Sequence, residues 1–518
     1  MTEPLTGWLV TLARALLPVF LLYFLLYNCY LLWLIALSAR QLRRRVTARS
    51  VQGLDLIDNG DLTKPLTIIV PFSNEEGTVV DRVMSLIRCD YPRFEVVVIS
   101  DGSSDGTLDR LKHAFRLRRS EVPYRPAIGT ATVRAMYEAT VPLPANVQRF
   151  IVMDKEHGGR ADALNAGINV SIAPYFVSLG EELILDERAL KGLMRAIQEN
   201  PGAAGVVGPL AIANGCIIRN GRVVDVGLPA RSLPRFQMVE HLRSLATAGT
   251  GRDRLRSLLM LSGVLAVFEK ETVIRAGGYL TPFLHHRIPR EYVGDSVGAE
   301  CEQVEIIVRL HRFMLDKLHG RRIVFLPSPV AWAKVPETCE SLRRQSARQY
   351  RGLREALRYH RAMLGRARYG GIGSFALPAL WLFEYYGPLV EMAAYLCVLF
   401  LLLMEWLLEY PVLHYAYLWV FLLASVGFGI LVNVLAVLLG AWRVRLGLSD
   451  RRHGHLLPFS RRREVLILLA YAVLENFGYR QLTLLGRLRG LWDAWRGKTG
   501  PQEMARAGLP RDAAPVHG

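Results

Sequence analysis

The stretch 66-LTIIVPFSNEEGTVVDRVMSLIRCDYPRFEVVVISDGSSDGT-107 decides the fold of this chain. Runs rich in β-branched residues alternate in it with helix-like stretches, at 66–71, 78–89, 94–100 and 107–118 in chain order. Such alternation is typical of βαβ units, which build a parallel sheet. Three later apolar runs, at 149–153, 175–179 and 203–207, continue the pattern. The sequence therefore predicts an α/β domain with a mostly parallel sheet over residues 67–353.

Polar turns follow the predicted strands, and the carboxyl ends of parallel strands form the edge at which α/β proteins bind ligands. In 101-DGSSDGT-107 two glycines allow close backbone approach, and Asp105 can cap the next helix. Asp101 is then left to face the crevice, where its carboxylate can bind a base or ribose. A simple turn with a helix cap explains the same letters equally well. In 154-DKEHGGRADALNAG-167, Lys155 and Arg160 can neutralise a diphosphate beside a helix N-terminus.

The composition indicates a membrane protein. Apolar residues make up 51% of the 518 residues, and 64 Lys and Arg outnumber 46 Asp and Glu, for a formal net charge of +18. The basic residues crowd beside apolar runs, as at 43–45 and 461–463, which is typical of collars around membrane spans. They do not alternate with aromatic residues, which disfavours nucleic-acid binding. The six cysteines stand without a CxxC pair, which predicts neither a zinc site nor a disulfide framework.

Residues 15–39 carry no charge over about a full bilayer thickness and lack the basic region of a cleavable signal, so we expect an anchor. The arginines that follow it place the α/β domain in the cytoplasm of a multi-pass protein of the inner or cell membrane. The expected organisation is a tail at 1–14, the span at 15–39, a basic linker at 40–66, the α/β domain at 67–353, an interfacial or solvated helix at 354–373, two spans in 374–440, a basic cytoplasmic loop at 441–463, an interfacial or third membrane helix at 464–500 and a disordered tail at 501–518.

Several motifs occur together, in one order, along the predicted domain. They are VPFSNEE at 70–76, Tyr91–Pro92, DGSSDGT at 101–107, DKEHGGRADALNAG at 154–167, Ser262–Gly263 with Gly277–Gly278, VRLHR at 308–312 and the QxxR of Gln345 and Arg348. In these motifs the chain resembles the family 2 glycosyltransferases, in particular the membrane-integrated branch of cellulose, chitin, hyaluronan and poly-N-acetylglucosamine synthases. One such agreement arises easily by chance, whereas agreement of all of them in order does not.

The resemblance implies a GT-A fold, which is Rossmann-like, and a bound nucleotide diphospho-sugar, usually a UDP-sugar. The residues it assigns to the nucleotide sugar, together with the basic pair noted above, are Pro71, Glu75, Asp101, Asp154, Lys155, Arg160, Asp162 and Asn165. It places the acceptor near Ser262, Gly263, Gln345, Arg348 and Gln349. It further implies inverting chemistry, in which a carboxylate removes the acceptor's proton while Mg²⁺ or Mn²⁺ holds the departing diphosphate.

Three positions depart from the pattern of the family. The Asp-x-Asp metal motif corresponds to Gly180–Glu181–Glu182, so one carboxylate is missing and Glu182 would hold a cation more weakly. The base position corresponds to Glu302–Gln303, and the Gln303 amide cannot accept a proton. Gln349 replaces the Trp of QxxRW. All three departures concern catalysis, whereas the nucleotide-binding motifs are kept.

Two hypotheses follow. The first is an active inverting glycosyltransferase that transfers a sugar to a polysaccharide or lipid acceptor. The second is a pseudo-glycosyltransferase that binds nucleotide sugar, or serves as a scaffold, beside a partner subunit in a polysaccharide-synthesis complex. An unrelated transporter is disfavoured, because few spans and few intramembrane charges are present.

Overall fold

The structure is a computed structural model. It describes residues 3–49, 63–121, 124, 126–180, 183–186, 188–219, 222–254, 258–259, 264–294, 301–327, 331–408, 415–445 and 462–496. The expected disordered tail at 501–518 lies outside these residues. So do most of the basic loop at 441–463 and part of the linker at 40–66.

The strands belong to one large sheet and one small hairpin. Their bounds are β1 Leu66–Phe72, β2 Phe94–Asp101, β3 Leu117–Arg119, β4 Val133–Ala139, β5 Val147–Lys155, β6 Tyr175–Ser178, β7 Ile184–Leu185, β8 Ala203–Ile212, β9 Ile217–Arg219, β10 Arg222–Asp225, β11 Val264–Glu269, β12 Arg322–Phe325 and β13 Ala331–Ala333. The large sheet has the order β3-β4-β5-β2-β1-β6-β11-β8-β13-β7, with β12 also beside β8. Strands β9 and β10 form the hairpin.

The centre of the large sheet is parallel. Strands β5, β2, β1 and β6 run in one direction, while β4 and β11 join them antiparallel. The sheet is therefore mixed with a parallel centre, which confirms the predicted α/β class and the strands expected at 149–153, 175–179 and 203–207. Because parallel strands need crossover connections, the loops after β1, β2 and β5 all open at one edge.

The helices surround the sheet and continue beyond it. Their bounds are α1 Glu3–Arg49, α2 Val79–Ile87, α3 Thr107–Phe115, α4 Arg160–Val170, α5 Ala189–Gln198, α6 Ser232–Ser244, α7 Arg252–Arg254, α8 Lys270–Arg275, α9 Arg287–Val293, α10 Glu302–Lys317, α11 Cys339–Tyr359, α12 Leu377–Ala379, α13 Gly387–Leu408, α14 Tyr415–Leu422, α15 Phe428–Arg445, α16 Arg462–Leu474 and α17 Tyr479–Trp495. Wider, π-type turns at Leu245–Gly251, Ile372–Ala376, Leu380–Tyr385 and Leu423–Gly427 join some of them.

Two apolar layers cover the sheet, one on each face. Along β1, Ile68 and Val70 pack into one layer, whereas Ile69 packs into the other. This division follows from the strand geometry, since successive side chains point to opposite faces. Every residue of β1 and β2 is buried. Burial on both faces explains why these strands appear in the sequence as continuous apolar runs.

Three helical segments of the described chain are long and apolar enough to cross a membrane: Trp8–Arg43, Ile372–Leu407 and Trp419–Arg443. They correspond to the apolar runs expected at 15–39 and within 374–440. Their outward faces carry large exposed apolar side chains such as Leu22, Leu399 and Leu423. A bilayer would cover such faces, which would be costly to leave in water.

Two expected boundaries differ in the structure. Helix α11 runs without a break through residues 353 and 354, where we expected one domain to end and a separate helix to begin. Its apolar stripe explains the continuity, because Leu342, Leu353 and Leu357 are buried along a single face. The segment 464–500 contains two helices, α16 and α17, and α17 packs along α11. Gly486 and Gly490 permit this approach, since a Cβ at Gly490 would meet the Ala347 carbonyl at 2.6 Å.

Candidate functional site

The loops after β1 and β2 are tied together at the carboxyl edge of the sheet. The Asn74 side chain accepts a hydrogen bond from the Ser104 amide at 2.8 Å, and the Glu76 amide donates to Asp105 at 3.1 Å. Asp105 also accepts from the amide of Thr107 at 3.0 Å, as a helix cap does. Its pKa is lowered because these hydrogen bonds outweigh the opposing effect of desolvation. The crevice between the strands therefore has a pre-formed rim.

A buried charge cluster lies beneath this rim. The sheet register places Asp101 of β2 opposite Lys155 of β5. The Lys155 ammonium lies 2.7 Å from Asp101 and 2.5 Å from Asp162, and it has no exposed surface. The amides of Gly158 and Gly159 donate to the two carboxylate oxygens of Asp101, at 3.0 and 2.9 Å. Burial raises the pKa of the Asp162 carboxyl even though Lys155 favours its charged form.

Two residues expected at the nucleotide sugar, Lys155 and Asp101, make their contacts within this cluster. Lys155 cannot reach a diphosphate in this conformation, because its donors are directed at Asp101, Asp162 and the Glu156 carbonyl. Asp101 was expected to face the crevice, but its carboxylate is 4% exposed and bonded to the loop that follows β5. Both residues thus hold the rim in place from below. A ligand can reach the Asp101 carboxylate only if residues 157–159 move.

Asp162 and Asn165 are likewise fully buried. The Asn165 side chain donates to the Tyr279 carbonyl at 2.9 Å and accepts from the Tyr279 amide at 2.7 Å. Helix α4 is thereby fixed to the chain that follows α8. The expectation that Asp162 and Asn165 lie near the nucleotide sugar is compatible with their positions, but their contacts are with the protein.

Glu75 and Pro71 also lie inside the protein. Pro71 is a buried residue of β1, opposite Ile99 of β2. The Glu75 carboxylate accepts from Arg82 at 2.5 Å and so fixes the first turns of α2. Asp154, at the end of β5, is 17% exposed on its side chain and lies 4.0 Å from Arg134. Of the expected acidic residues on β2 and β5, Asp154 is the more accessible.

Arg160, the other cation predicted to bind the diphosphate, lies next to two of the positions that depart from the family pattern. Arg160 begins α4, and its Nε lies 2.9 Å from Oε1 of Glu302, the first residue of α10. A Cβ built on Gly180 would lie 3.5 Å from Nη1 of Arg160. Gln303 follows Glu302 and is half-buried. The structure therefore brings Arg160, Gly180 and Glu302 together from three distant parts of the sequence.

A divalent cation does not fit the described residues at this point. Gly180 offers no carboxylate, and Glu302 is already paired with Arg160. Among the residues that the structure describes, no three His, Cys, Asp or Glu side chains are arranged to hold a metal ion. The expected metal residue Glu182 lies outside these residues, as do Glu181 and the expected acceptor residues Ser262 and Gly263.

Sequence reasoning missed a buried network behind the site. Arg309, in the VRLHR motif, bonds Glu305 at 2.8 Å and the Ala276 carbonyl at 2.8 Å, and it also donates to the Gly278 carbonyl. His360 lies 3.4 Å from Glu305. The pKa of Glu305 is lowered because Arg309 and His360 outweigh the effect of its burial. The i,i+4 spacing of Glu305 and Arg309 was the signal available in the sequence.

A cavity of about 360 Å³ lies between α11 and the apolar helices. Gln345 and Gln349 line it, whereas Arg348 points elsewhere on the same helix. Farther along α11, Gly352 packs on Cys301, next to Glu302. One helix therefore connects the expected acceptor residues with the degenerate base position.

Pairs of charged side chains also line the cavity. Arg243 bonds Glu475 at 2.7 Å, Arg480 bonds Glu391 at 2.6 Å, and Arg487 lies 3.7 Å from Glu384. In the sequence these glutamates stand singly within or beside apolar runs. The structure instead shows them turned inward and paired, which is how a charge is tolerated within apolar surroundings. Tyr27, Tyr30 and Phe383 add aromatic faces to the wall.

A mixed sheet with acidic and basic loops at its carboxyl edge is the arrangement of a ligand-binding α/β protein. The chain belongs to the family described as "Glycosyltransferase like family 2", whose profile matches residues 64–352. It is similar to poly-beta-1,6-N-acetyl-D-glucosamine synthases of Staphylococcus aureus strain MSSA476, with 23% identity over 300 residues. That match covers 58% of this chain and 57% of the relative, so the chain spans little more than half the length of the curated relatives it matches.

Two solved structures are similar as well. The mannosyltransferase PcManGT from Pyrobaculum calidifontis, in complex with GDP-Man and Mn²⁺, is 15% identical and has a TM-score of 0.43, covering 94% of this chain and 99% of that one. Residues 1–349 of S. aureus TarS, in complex with UDP-GlcNAc, are 14% identical and have a TM-score of 0.34, covering 81% of this chain and 92% of that one.

Proposed function

We propose that this protein transfers a sugar from a nucleotide diphospho-sugar, of the UDP-sugar class, to a polysaccharide or lipid acceptor with inversion at the anomeric carbon. The observation that carries the proposal is the meeting of Arg160 with Glu302 at the carboxyl edge of the sheet, 2.9 Å apart. A cation and a carboxylate at one point suit a reaction that releases an anionic diphosphate and removes a proton from the acceptor hydroxyl.

The reaction needs few groups from this chain. The acceptor oxygen forms a bond to the anomeric carbon as the bond from that carbon to the β-phosphate oxygen breaks. The electron pair of the broken bond leaves with the nucleoside diphosphate, and Arg160 neutralises the charge. The proton of the acceptor hydroxyl passes to a carboxylate, for which Glu302 is the described candidate at the base position.

The cavity beside Gln345 and Gln349 is the proposed acceptor site. Its wall combines aromatic faces with amide and guanidinium donors, which suits a polyhydroxylated chain or a polar lipid headgroup. Helix α11 places this wall one turn from the contact with Cys301, next to Glu302. The three apolar helices would hold the protein in the membrane with the sheet on the cytoplasmic side, in keeping with the arginines after residue 39.

Asp101 and Asp154 are proposed to hold the base and ribose. Asp154 is accessible in this conformation, whereas Asp101 becomes so only if residues 157–159 move. The relatives named for poly-N-acetylglucosamine synthesis and the TarS complex with UDP-GlcNAc favour UDP-GlcNAc as the first donor to test.

The test is release of nucleotide from UDP-GlcNAc, other UDP-sugars and GDP-sugars by the detergent-purified full chain, followed by incorporation of labelled sugar into polymer or lipid. Turnover by the native protein that disappears in Asp154→Ala and Glu302→Gln supports the proposal. Binding without turnover for every donor contradicts it.

A second candidate function has its own observation. Gly180 and Gln303 remove a carboxylate at the metal position and at the base position, which favours a pseudo-glycosyltransferase that binds nucleotide sugar beside a partner subunit. It predicts that the native protein shows no turnover. The Gly180→Asp/Gln303→Asp double variant should then gain turnover with Mn²⁺. A double variant that stays silent argues against this candidate.

A further inference from the structure

The Arg160 guanidinium lies where the family pattern has a metal-binding carboxylate. Its Nη1 is 3.5 Å from the point at which a side chain at residue 180 would begin, and its Nε is 2.9 Å from Glu302. An aspartate at 180 would therefore contact the guanidinium and form an ion pair with it. The missing carboxylate at Gly180 and the presence of Arg160 form one arrangement, in which glycine places no second carboxylate beside this cation.

Arg160 suits a diphosphate by its chemistry. The planar donors of a guanidinium match two phosphate oxygens at once. Its side chain is 30% exposed, so a ligand in the crevice can reach it. The other cation of the same loop, Lys155, has no exposed surface and is bonded to Asp101 and Asp162. Arg160 is thus the accessible cation of this loop.

Glu302 is the partner of Arg160 when no ligand is bound. In the absence of a ligand the carboxylate balances the Arg160 charge at 2.9 Å, although the buried Nε of Arg160 makes no hydrogen bond. A diphosphate carries more negative charge than one carboxylate, so it competes effectively for the same donors. When Arg160 turns to the diphosphate, Glu302 loses its partner and can accept the proton of the acceptor hydroxyl.

We propose that Arg160 replaces the divalent cation of this site, so that the protein binds nucleoside diphosphates, and releases them in the transfer reaction, without Mg²⁺ or Mn²⁺. The inference rests on the proposed function and concerns the charge that stabilises its leaving group. A positive side chain in this role requires no coordination by Glu182 and no carboxylate at 180.

Calorimetric titration of the full-length protein in detergent with UDP tests the proposal, once in EDTA and once in Mn²⁺. For the native protein we expect the two affinities to agree within about threefold. Arg160→Met should weaken UDP binding about ten- to hundredfold in both conditions, since a charge-assisted contact is lost, and Arg160→Lys should lie between. Uridine, which has no phosphate, should bind native protein and Arg160→Met equally and so reports that the site is folded.

Gly180→Asp provides the reciprocal variant. The new carboxylate should neutralise Arg160, weaken UDP binding in EDTA to a similar extent, and make the affinity recover in Mn²⁺. Arg344→Met, on the exposed side of α11, is the matched control and should bind UDP as the native protein does.

Three results would overturn the inference. The first is a native protein whose UDP affinity falls tenfold or more in EDTA. The second is Arg160→Met that binds UDP as tightly as the native protein does. The third is Gly180→Asp with unchanged, Mn²⁺-independent UDP binding. If neither UDP nor GDP binds the native protein in either condition, the proposed function itself fails, and the inference fails with it.

Discussion

The Lys155 ammonium lies 2.7 Å from the Asp101 carboxylate, and neither side chain is more than marginally exposed. Asp162 lies on the other side of the same ammonium, at 2.5 Å. One buried cation therefore lies between two buried carboxyl groups, which come from the end of β2 and the first turn of α4. This pairing fixes the distance between two of the loops that form the crevice.

Removal of the Lys155 ammonium should lower the free energy of unfolding strongly. Lys155→Met keeps the volume of the side chain but leaves Asp101 and Asp162 buried and facing each other, so we expect a loss of about 3–5 kcal/mol in the free energy of unfolding. Denaturant unfolding monitored by tryptophan fluorescence measures it. Lys112→Met is the matched control, because Lys112 pairs with Asp109 on the surface, and it should change stability by less than about 0.5 kcal/mol. A loss below about 1 kcal/mol for Lys155→Met would show that the cluster is not held as described.

Gly278 should resist substitution for two separable reasons. Its φ is +69°, and a Cβ there would meet Oδ1 of Asn165 and Cδ1 of Ile128, each at 2.7 Å. Gly320 has a similar φ of +86° with open space around it, so Gly320→Ala measures the backbone cost alone, about 1 kcal/mol. We expect Gly278→Ala to cost at least about 2 kcal/mol more in thermal unfolding, since it also disturbs the Asn165 clamp on Tyr279. Equal losses for the two variants would contradict this.

The sequence predicted the sheet because its strands are buried on both faces and its turns are polar, two signals that are local. It also located the three apolar helices, for which length and composition suffice. The contact between Arg160 and Glu302 could not be predicted from the sequence, because it joins segments that are far apart in the chain. The direction of Lys155 was likewise hidden, since a turn sequence does not reveal whether a side chain points out of the crevice or beneath it.

The cavity between α11 and the apolar helices was not predicted, for a related reason. Single glutamates in apolar runs resemble charges at helix ends, and only packing shows that Glu391 and Glu475 meet arginines from α17 and α6. Helix α11 was divided at residue 353, although its apolar stripe continues to Leu357. Composition describes the solvent face of a helix, whereas the buried face determines how far the helix runs.

Stability should fall as the pH decreases from 6.5 to 4. His311 is buried with Nε2 on the Leu258 carbonyl at 2.9 Å, and burial lowers its pKa from 6.5 to about 4. Below pH 6.5 the unfolded chain therefore binds a proton that the folded protein does not, so the stability contribution of neutral His311 is present above pH 6.5 and lost progressively towards pH 4. The maximum loss from this group is about 3 kcal/mol. Unfolding of native protein and His311→Gln between pH 7 and pH 4 measures the difference in slope, and parallel curves would contradict it.

Substitution of Gln349 should impair sugar transfer to the acceptor and leave use of the nucleotide sugar unchanged. Gln349 lines the cavity, whereas Asp154 and Arg160, which are expected at the nucleotide sugar, do not. Gln349→Leu keeps nearly the same volume but removes the hydrogen-bonding groups, which should lower sugar incorporation into polymer or lipid about tenfold by the loss of one or two hydrogen bonds. Release of nucleotide to water should remain within about twofold of native, because that reaction needs no acceptor. Arg344→Leu, on the exposed side of the same helix, should leave both rates unchanged. Equal loss of incorporation and hydrolysis in Gln349→Leu would place this residue in the donor site and would remove the cavity from the acceptor path.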